Sequence, residues 1–429
     1  MSELSPQWLL VSLYLGGLVL SLWLPQQQWR IAKFATLAGF IAMLGNTLFA
    51  IGQASINLVP VDGLGIVMAI LVSLLGWVIT RFAHRYLQGE AQQARFVTAT
   101  LFTLSCVALL VTSQHLLVIV LAWSGTSVGL HRLLTFYPER KAARVVAHKK
   151  FLVSRFAEIC LLLALGLIYL DVGSLSLQEI HFALNAQDSL PLSLTGAALL
   201  LAFAAILKTA QLPLHGWLIQ VMEAPTPVSA LLHAGVVNMG GFVLLRVAEL
   251  IGLVPSAQWL LVIVGSLTAV LAGMVMLTRI SIKVRLAWST CAQMGFMLME
   301  IGLGLYELAL LHLVAHSLYK AYAFLSLAKR WSEHVCMIFK PHKVSMVKPW
   351  GALLAVGLSA ALILILHHLW QSLTPNLHLP NAVVAILALG FAPLLWQSGR
   401  FTPSGLSSVC CGLPYSPNSI SYGICCLRV

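Results

Sequence analysis

The residues able to do chemistry in this chain lie where ionisable groups are costly. The stretch Lys208 to Arg246, KTAQLPLHGWLIQVMEAPTPVSALLHAGVVNMGGFVLLR, sits in almost uninterrupted hydrocarbon yet carries His215, Glu223 and His233 besides its lysine. Charged groups in a lipid span cost several kcal/mol unless they line a water path or meet partners, so they mark functional sites by default. Pro213, Pro225 and Pro227 each lack an amide proton, and their rings clash with the preceding helical turn. A helix broken at membrane depth persists only where protein or water satisfies the freed carbonyls. Lys208 beside such a break points to charge translocation. Further on, His312, His316 and Lys320 repeat at i, i+4 and i+8, which stacks them along one helical face. Imidazoles titrate near neutral pH, so a file of this kind, interleaved with water, relays protons. Arg155 and Glu158 are three apart on another apolar run and can pair.

Each group also has a structural reading. Arg155–Glu158 serves equally as a plain ion pair. His312 and His316 have the i, i+4 spacing of zinc ligands, but no third ligand is evident nearby. His215, beside Trp217, suits a water interface, as do His367 and His368. His233, one turn past Ser229 in the resumed helix, suits a gate or relay. An internal echo joins the two halves: Lys208 precedes a broken helix with His233, and Lys283 precedes the helix of His316 and Lys320. Paired sets of this kind are what an inverted-repeat transporter shows.

The elements that position these groups follow from composition. With 59% hydrophobic and 9% charged residues and a mean hydropathy of +0.92, the chain has more apolar surface than a soluble interior of this size can hide. An all-α polytopic membrane protein follows. Apolar runs long enough to cross about 30 Å of hydrocarbon fall near 7–24, 31–51, 61–80, 96–112, 115–135, 150–170, 191–212, 225–246, 257–277, 285–304, 306–327, 350–370 and 380–397. That makes about thirteen transmembrane helices. The first run has no basic residue before it and no cleavage site, and reads as a span rather than a signal peptide.

Lysines and arginines cluster in alternate loops: Arg30 and Lys33; Arg81, Arg85 and Arg95; Arg132 to Lys150; Arg279 to Arg285; Lys329 to Lys348. The 171–190 loop on the other side is acidic. This pattern places the N-terminus outside and the basic side in the cytoplasm. It also accounts for the net charge of +12 without nucleic acid. No GxGxxG, P-loop or CxxC appears, and Cys106, Cys160, Cys291 and Cys336 are isolated. Nothing here holds a cofactor, a nucleotide or a metal, and no catalytic centre is visible. From about Arg400 the composition turns to Ser, Pro, Gly and Cys without periodicity, as in a disordered tail or a frameshifted end.

The run LKTAQLPLHGWLIQVMEAPTPVSALLHAG resembles the antiporter-like membrane subunits of respiratory complex I and the Mrp sodium/proton antiporters. The later IKVRLAWSTCAQMGFML and HLVAHSLYKAYAFL, and the earlier RFAEI, resemble the same family at the expected distances. The variant PLHGWLIQVMEAPTPVSALLHAGVVN looks closest to the membrane subunit of the DAB inorganic-carbon pump. The resemblance divides the chain into N-terminal helices (1–54), an antiporter-like translocating core (55–330), C-terminal helices (331–398) and the atypical tail (399–429). It implies that Lys208 is the central relay lysine, His233 its neighbour, Lys283 a lysine on the cytoplasmic side, and His312, His316 and Lys320 a second relay.

Two departures stand out. The respiratory subunits have Trp-Glu-Gly in the fifth span, where the glutamate pairs with the lysine; this chain has Trp123-Ser124-Gly125. Glu158, backed by Arg155, is the nearest spare carboxylate and is expected to take the role. The 350–370 run also lacks the family's lysine or glutamate. Two functions stay open on the resemblance. One is the proton- or sodium-conducting subunit of an inorganic-carbon accumulating complex in the bacterial inner membrane, partnered by a large soluble zinc-containing carbonic-anhydrase-like subunit. The other is a proton-pumping subunit of NADH–quinone oxidoreductase or an Mrp-type antiporter. A non-conducting scaffold is disfavoured, since it gains nothing from desolvating lysines.

Overall fold

The computed structural model describes residues 8–54, 62–137, 139–186, 190–221 and 224–337, and beyond them Gly357, Ala360, Ala361 and Leu364. The chain divides into two compact units, Met1–Met337 and Ile338–Val429. In the second unit the four described residues are helical. Glu223, Asp188, His367 and His368, most of the expected 350–370 run, all of the 380–397 run and the tail lie outside the described residues.

The first unit is a bundle of helices. They are α1 (Trp8–Trp23), α2 (Gln28–Ala54), α3 (Gly63–Tyr86), α4 (Gln93–Thr112), α5 (Leu116–Leu134), α6 (Lys141–Val172), α7 (Leu177–Asn185), α8 (Leu192–Lys208), α9 (Gly216–Gln220), α10 (Thr226–Ala234), α11 (Met239–Arg246), α12 (Ala248–Gly252), α13 (Pro255–Leu277), α14 (Ile282–Gly302) and α15 (Tyr306–Met337). Every expected run up to 306–327 coincides with one of these helices or, at 225–246, with two. Among the described residues eight segments are long and apolar enough to cross a membrane, and α1 and α8 are shorter apolar helices.

Burial shows which segment lies at the centre. Of the residues in the 18-residue apolar window of Thr226–Arg246, 94% are buried, against 22% for that of Pro255–Leu277, which turns Trp259, Ile263, Val270 and Met274 outward. In lipid, helices gain little by hiding leucine from hydrocarbon and associate instead through close packing of small residues. That logic is visible twice. Half of the buried residues of α8 are alanines, Ala197, Ala198, Ala202, Ala204 and Ala205, beside Leu194, Leu201, Ile206, Leu207 and Lys208, and α8 packs along α6. Helices α13 and α14 pack along each other, with Gly265 against the Gly295 backbone: a Cβ on Gly265 would lie 2.5 Å from the Gly295 carbonyl oxygen and 2.8 Å from Met299 N.

At one end Asp62 caps α3 by accepting from Gly65 N at 2.9 Å. It also takes both arms of the Arg246 guanidinium, at 2.9 and 2.8 Å, and Gln114 donates to it at 2.7 Å. The same Arg246 donates to Val111 O at 2.8 Å. This clamp ties α3, α4 and α11 together. The acidic 171–190 loop contains a helix that the sequence reading missed: α7, with Ile180 and Leu184 buried. At the opposite, basic end Tyr137 donates to Glu90 at 3.2 Å. Burial, and then the Glu90 carboxylate, push its phenol up to about 12, so it remains a neutral donor.

Candidate functional site

The break after Lys208 is built into the backbone. Helix α8 ends at Lys208, Ala210 takes the left-handed conformation (φ 56°), and the Leu212–Pro213 peptide is cis. Pro225 then caps α10, which has Pro227 in its first turn. The backbone groups freed by the break find partners on neighbouring helices: Thr268 of α13 accepts from Leu212 N at 3.2 Å, and Cys291 of α14 donates to Ala210 O at 3.1 Å. A broken helix is tolerable at membrane depth on just this condition. A second interruption follows. Gly235 leaves helical geometry, Val236–Asn238 form a 3₁₀ turn, and Asn238 Nδ2 donates to Ser317 Oγ of α15 at 2.6 Å. The sequence reading treated 225–246 as continuous and missed this one.

Lys208 is buried at the C-terminal end of α8, where the helix dipole favours a cation. Its Nζ lies 3.7 Å from Glu158 Oε1, donates to Trp123 O at 3.3 Å and stands 4.3 Å from the Trp123 ring centroid. Arg155 Nη2 donates to Glu158 Oε1 at 2.8 Å and to Ser124 Oγ at 3.3 Å. The carboxylate on α6 therefore stands beside the lysine, and Ser124, where the resemblance led to the expectation of a glutamate, meets the arginine instead.

Lys150 belongs to the same place, which corrects its assignment to a basic loop. Helix α6 begins at Lys141, so Lys150 is well inside it, 4% exposed, with Nζ donating to Ser127 O at 3.4 Å. Lys150 and Lys208 line one small pocket of about 10 Å³ with Ser154 and Trp217, about the threshold for holding a water molecule. Leu232, which precedes His233 in the chain, lines it too. The signal was present: Lys150, Ser154 and Glu158 share a face at i, i+4 and i+8.

The second group lies between α10, α14 and α15. His233 is fully buried, with Nδ1 3.1 Å from Thr290 Oγ1 and its ring stacked on Phe324 at 4.7 Å. Lys320, also fully buried, donates to Leu286 O at 3.0 Å and to Ser289 Oγ. Neither ring nitrogen of buried His316 has a hydrogen-bond partner, nor does Nε2 of His233. His312 follows, its ring centroid 6.2 Å from that of His316. Its Nδ1 meets Glu300 Oε2 at 2.9 Å and its Nε2 meets Gln293 Oε1 at 2.7 Å. Glu300, 2% exposed, was missed by sequence reasoning because it closes an apolar run and looks like a boundary residue. Lys283 is half-buried in the first turn of α14, and no described hydrogen bond or ion pair joins it to either group. His215 is half-buried, 5.0 Å from the Trp288 ring. No cluster of metal-ligating side chains occurs among the described residues.

Such a site holds cations in low dielectric, each bonded to a carbonyl, a hydroxyl or a carboxylate. Buried groups of this kind, each able to gain or lose a proton, suit proton or ion transfer. The family model for NADH:quinone oxidoreductase/Mrp antiporter transmembrane proteins matches residues 113–365, which cover both groups. The chain belongs to this family. The probable inorganic carbon transporter subunit DabB of Hydrogenovibrio crunogenus is 45% identical over 342 residues, 77% of this chain and 66% of that protein. The probable inorganic carbon transporter subunit DabB2 of Halothiobacillus neapolitanus is 43% identical over 390 residues, 88% of this chain and 69% of that protein. The chain thus spans about two thirds of the length of these relatives. A solved Mrp complex from Dietzia sp. contains a chain with the same fold, at a TM-score of 0.66 and 27% identity, covering 83% of this chain and 41% of that one.

Proposed function

We propose that this chain is the ion-conducting membrane subunit of a bacterial inner-membrane complex that accumulates inorganic carbon. Protons or sodium ions move down their gradient by way of Lys208, His233 and Lys320, with His312 and His316 extending the second relay. Glu158, held by Arg155, is the carboxylate that stabilises charge on Lys208. The observation that carries the reading is the 3.7 Å approach of Lys208 to Glu158 in a chain whose fifth span has lost the usual glutamate. The relatives named for inorganic carbon transport supply the substrate class.

The cation flow drives directional CO2 hydration in a partner, a large soluble zinc-containing carbonic-anhydrase-like subunit in which a zinc-activated water attacks CO2. The core of the translocating unit is residues 55–330. The test is co-expression with the adjacent large open reading frame in a carbonic-anhydrase-deficient bacterium. Growth in ambient air that needs both genes and is lost with an uncoupler supports the reading. Failure to grow, with both proteins stably expressed, shifts the assignment to a respiratory or antiporter complex.

A further inference from the structure

Lys150 is a buried lysine to which the relay above gives no task. We infer that it is a third proton-carrying lysine, the step between Lys208 and the basic end of the bundle; the inference rests on the translocation reading above.

The placement of the side chains supports this. Trp123 O and Ser127 O are carbonyls one turn apart on α5, about 6 Å along the axis. They accept from Lys208 at 3.3 Å and from Lys150 at 3.4 Å. Facing them on α6 are Glu158, Ser154 and Lys150, also one turn apart. Both lysines and Ser154 line the small pocket between these rows, whose volume of about 10 Å³ is about that needed for one water molecule. The α5 row continues one turn further to His131, whose Nδ1 lies 3.3 Å from Ala147 O of α6. Its ring is 5.4 Å from that of His148, which is exposed. Proton-bearing groups therefore run from Lys208 through Lys150 and His131 to His148 at the surface.

Charge balance gives the row a direction of use. The charged groups acting on Lys150 are Lys208, Glu158 and Arg155. Arg155 is permanently cationic, so Glu158 balances one of the three cations when both lysines are protonated. Charging both at once is disfavoured, and they alternate: the Lys208 ammonium gives up its proton to a water entering the shared pocket, which passes one on to the neutral Lys150 amine. A lysine kept only for structure would be expected to hold a carboxylate directly. Lys150 has one long bond to a carbonyl, a poor return for burying an ammonium group.

The test is proton flux into proteoliposomes containing this chain together with its co-expressed partner subunit and supplied with CO2, with a trapped pH dye and an imposed membrane potential. Lys150→Met is expected to lower flux by at least about tenfold while eluting from gel filtration like the unsubstituted protein. Lys150→His is expected to restore part of the flux, with a pH profile that now bends at about 6.5, where imidazole titrates. Unaltered flux in a folded Lys150→Met overturns the inference and leaves translocation standing. Where Lys150→Met does not fold, Lys150→His decides: the original pH profile overturns the inference, and a profile moved to the imidazole range supports it. Absence of flux from the unsubstituted complex overturns the translocation reading, and the inference with it.

Discussion

Glu158→Gln keeps the size of the side chain and removes the charge that faces Lys208. At 3.7 Å, and with an effective dielectric of about 20, Coulomb's law puts the attraction at about 4 kcal/mol. A factor of ten for every 1.4 kcal/mol makes this at most about a thousandfold in the relative stability of the charged lysine. Arg155 already shares the carboxylate at 2.8 Å, so part of that attraction is spoken for, and proton flux is expected to fall by about ten- to a thousandfold. Flux into proteoliposomes, normalised to folded protein by gel filtration, reads the effect directly. Adding Ser124→Glu returns a carboxylate to the position where the family carries it, 3.3 Å from Arg155 in the present serine. The double substitution is expected to regain part of the flux. A folded Glu158→Gln protein with unchanged flux refutes the reasoning, because Lys208 would then be working without its carboxylate.

Two further predictions concern the scaffold. Asp62→Ala leaves the Arg246 guanidinium, 5% exposed, with Val111 O as its remaining described acceptor, and also uncaps α3; a loss of about 3–5 kcal/mol is expected, read as a lower thermal unfolding midpoint in detergent, with Asp62→Asn intermediate because it keeps the cap. Gly265→Val drives a side chain into the Gly295 and Met299 backbone, which cannot rotate aside; a cost of about 1–3 kcal/mol is expected, and an unchanged midpoint would show that α13 and α14 separate without penalty.

The sequence disclosed the bundle well because lipid imposes long, apolar, nearly gap-free helices and confines basic residues to alternate loops. Lys208, the prolines and the His312–His316–Lys320 file were legible because charge and proline are rare at such depth. Even the contact of Glu158 with Lys208 followed from helix order, given the missing glutamate at Ser124. What escaped depended on where helices begin and on which ends meet. Lys150 was counted with its basic neighbours, since hydropathy starts the span near 150 while the hydrogen-bonded helix starts at Lys141. Glu300 gains its meaning only from His312 across a tight turn. Asp62 and Arg246 are 184 residues apart and no periodicity links them. The break at Gly235 carries no proline, so the apolar run 225–246 read as continuous.

The most direct test of the account replaces Lys208 itself in the carbonic-anhydrase-deficient host that carries both genes. Coupling through a lysine requires the group to alternate between charged and neutral. Lys208→Arg, permanently charged, is therefore expected to abolish growth in air with the protein still assembled in the membrane, while Lys208→His retains part of it. A Lys208→Arg strain that grows as the unsubstituted strain does would contradict the relay.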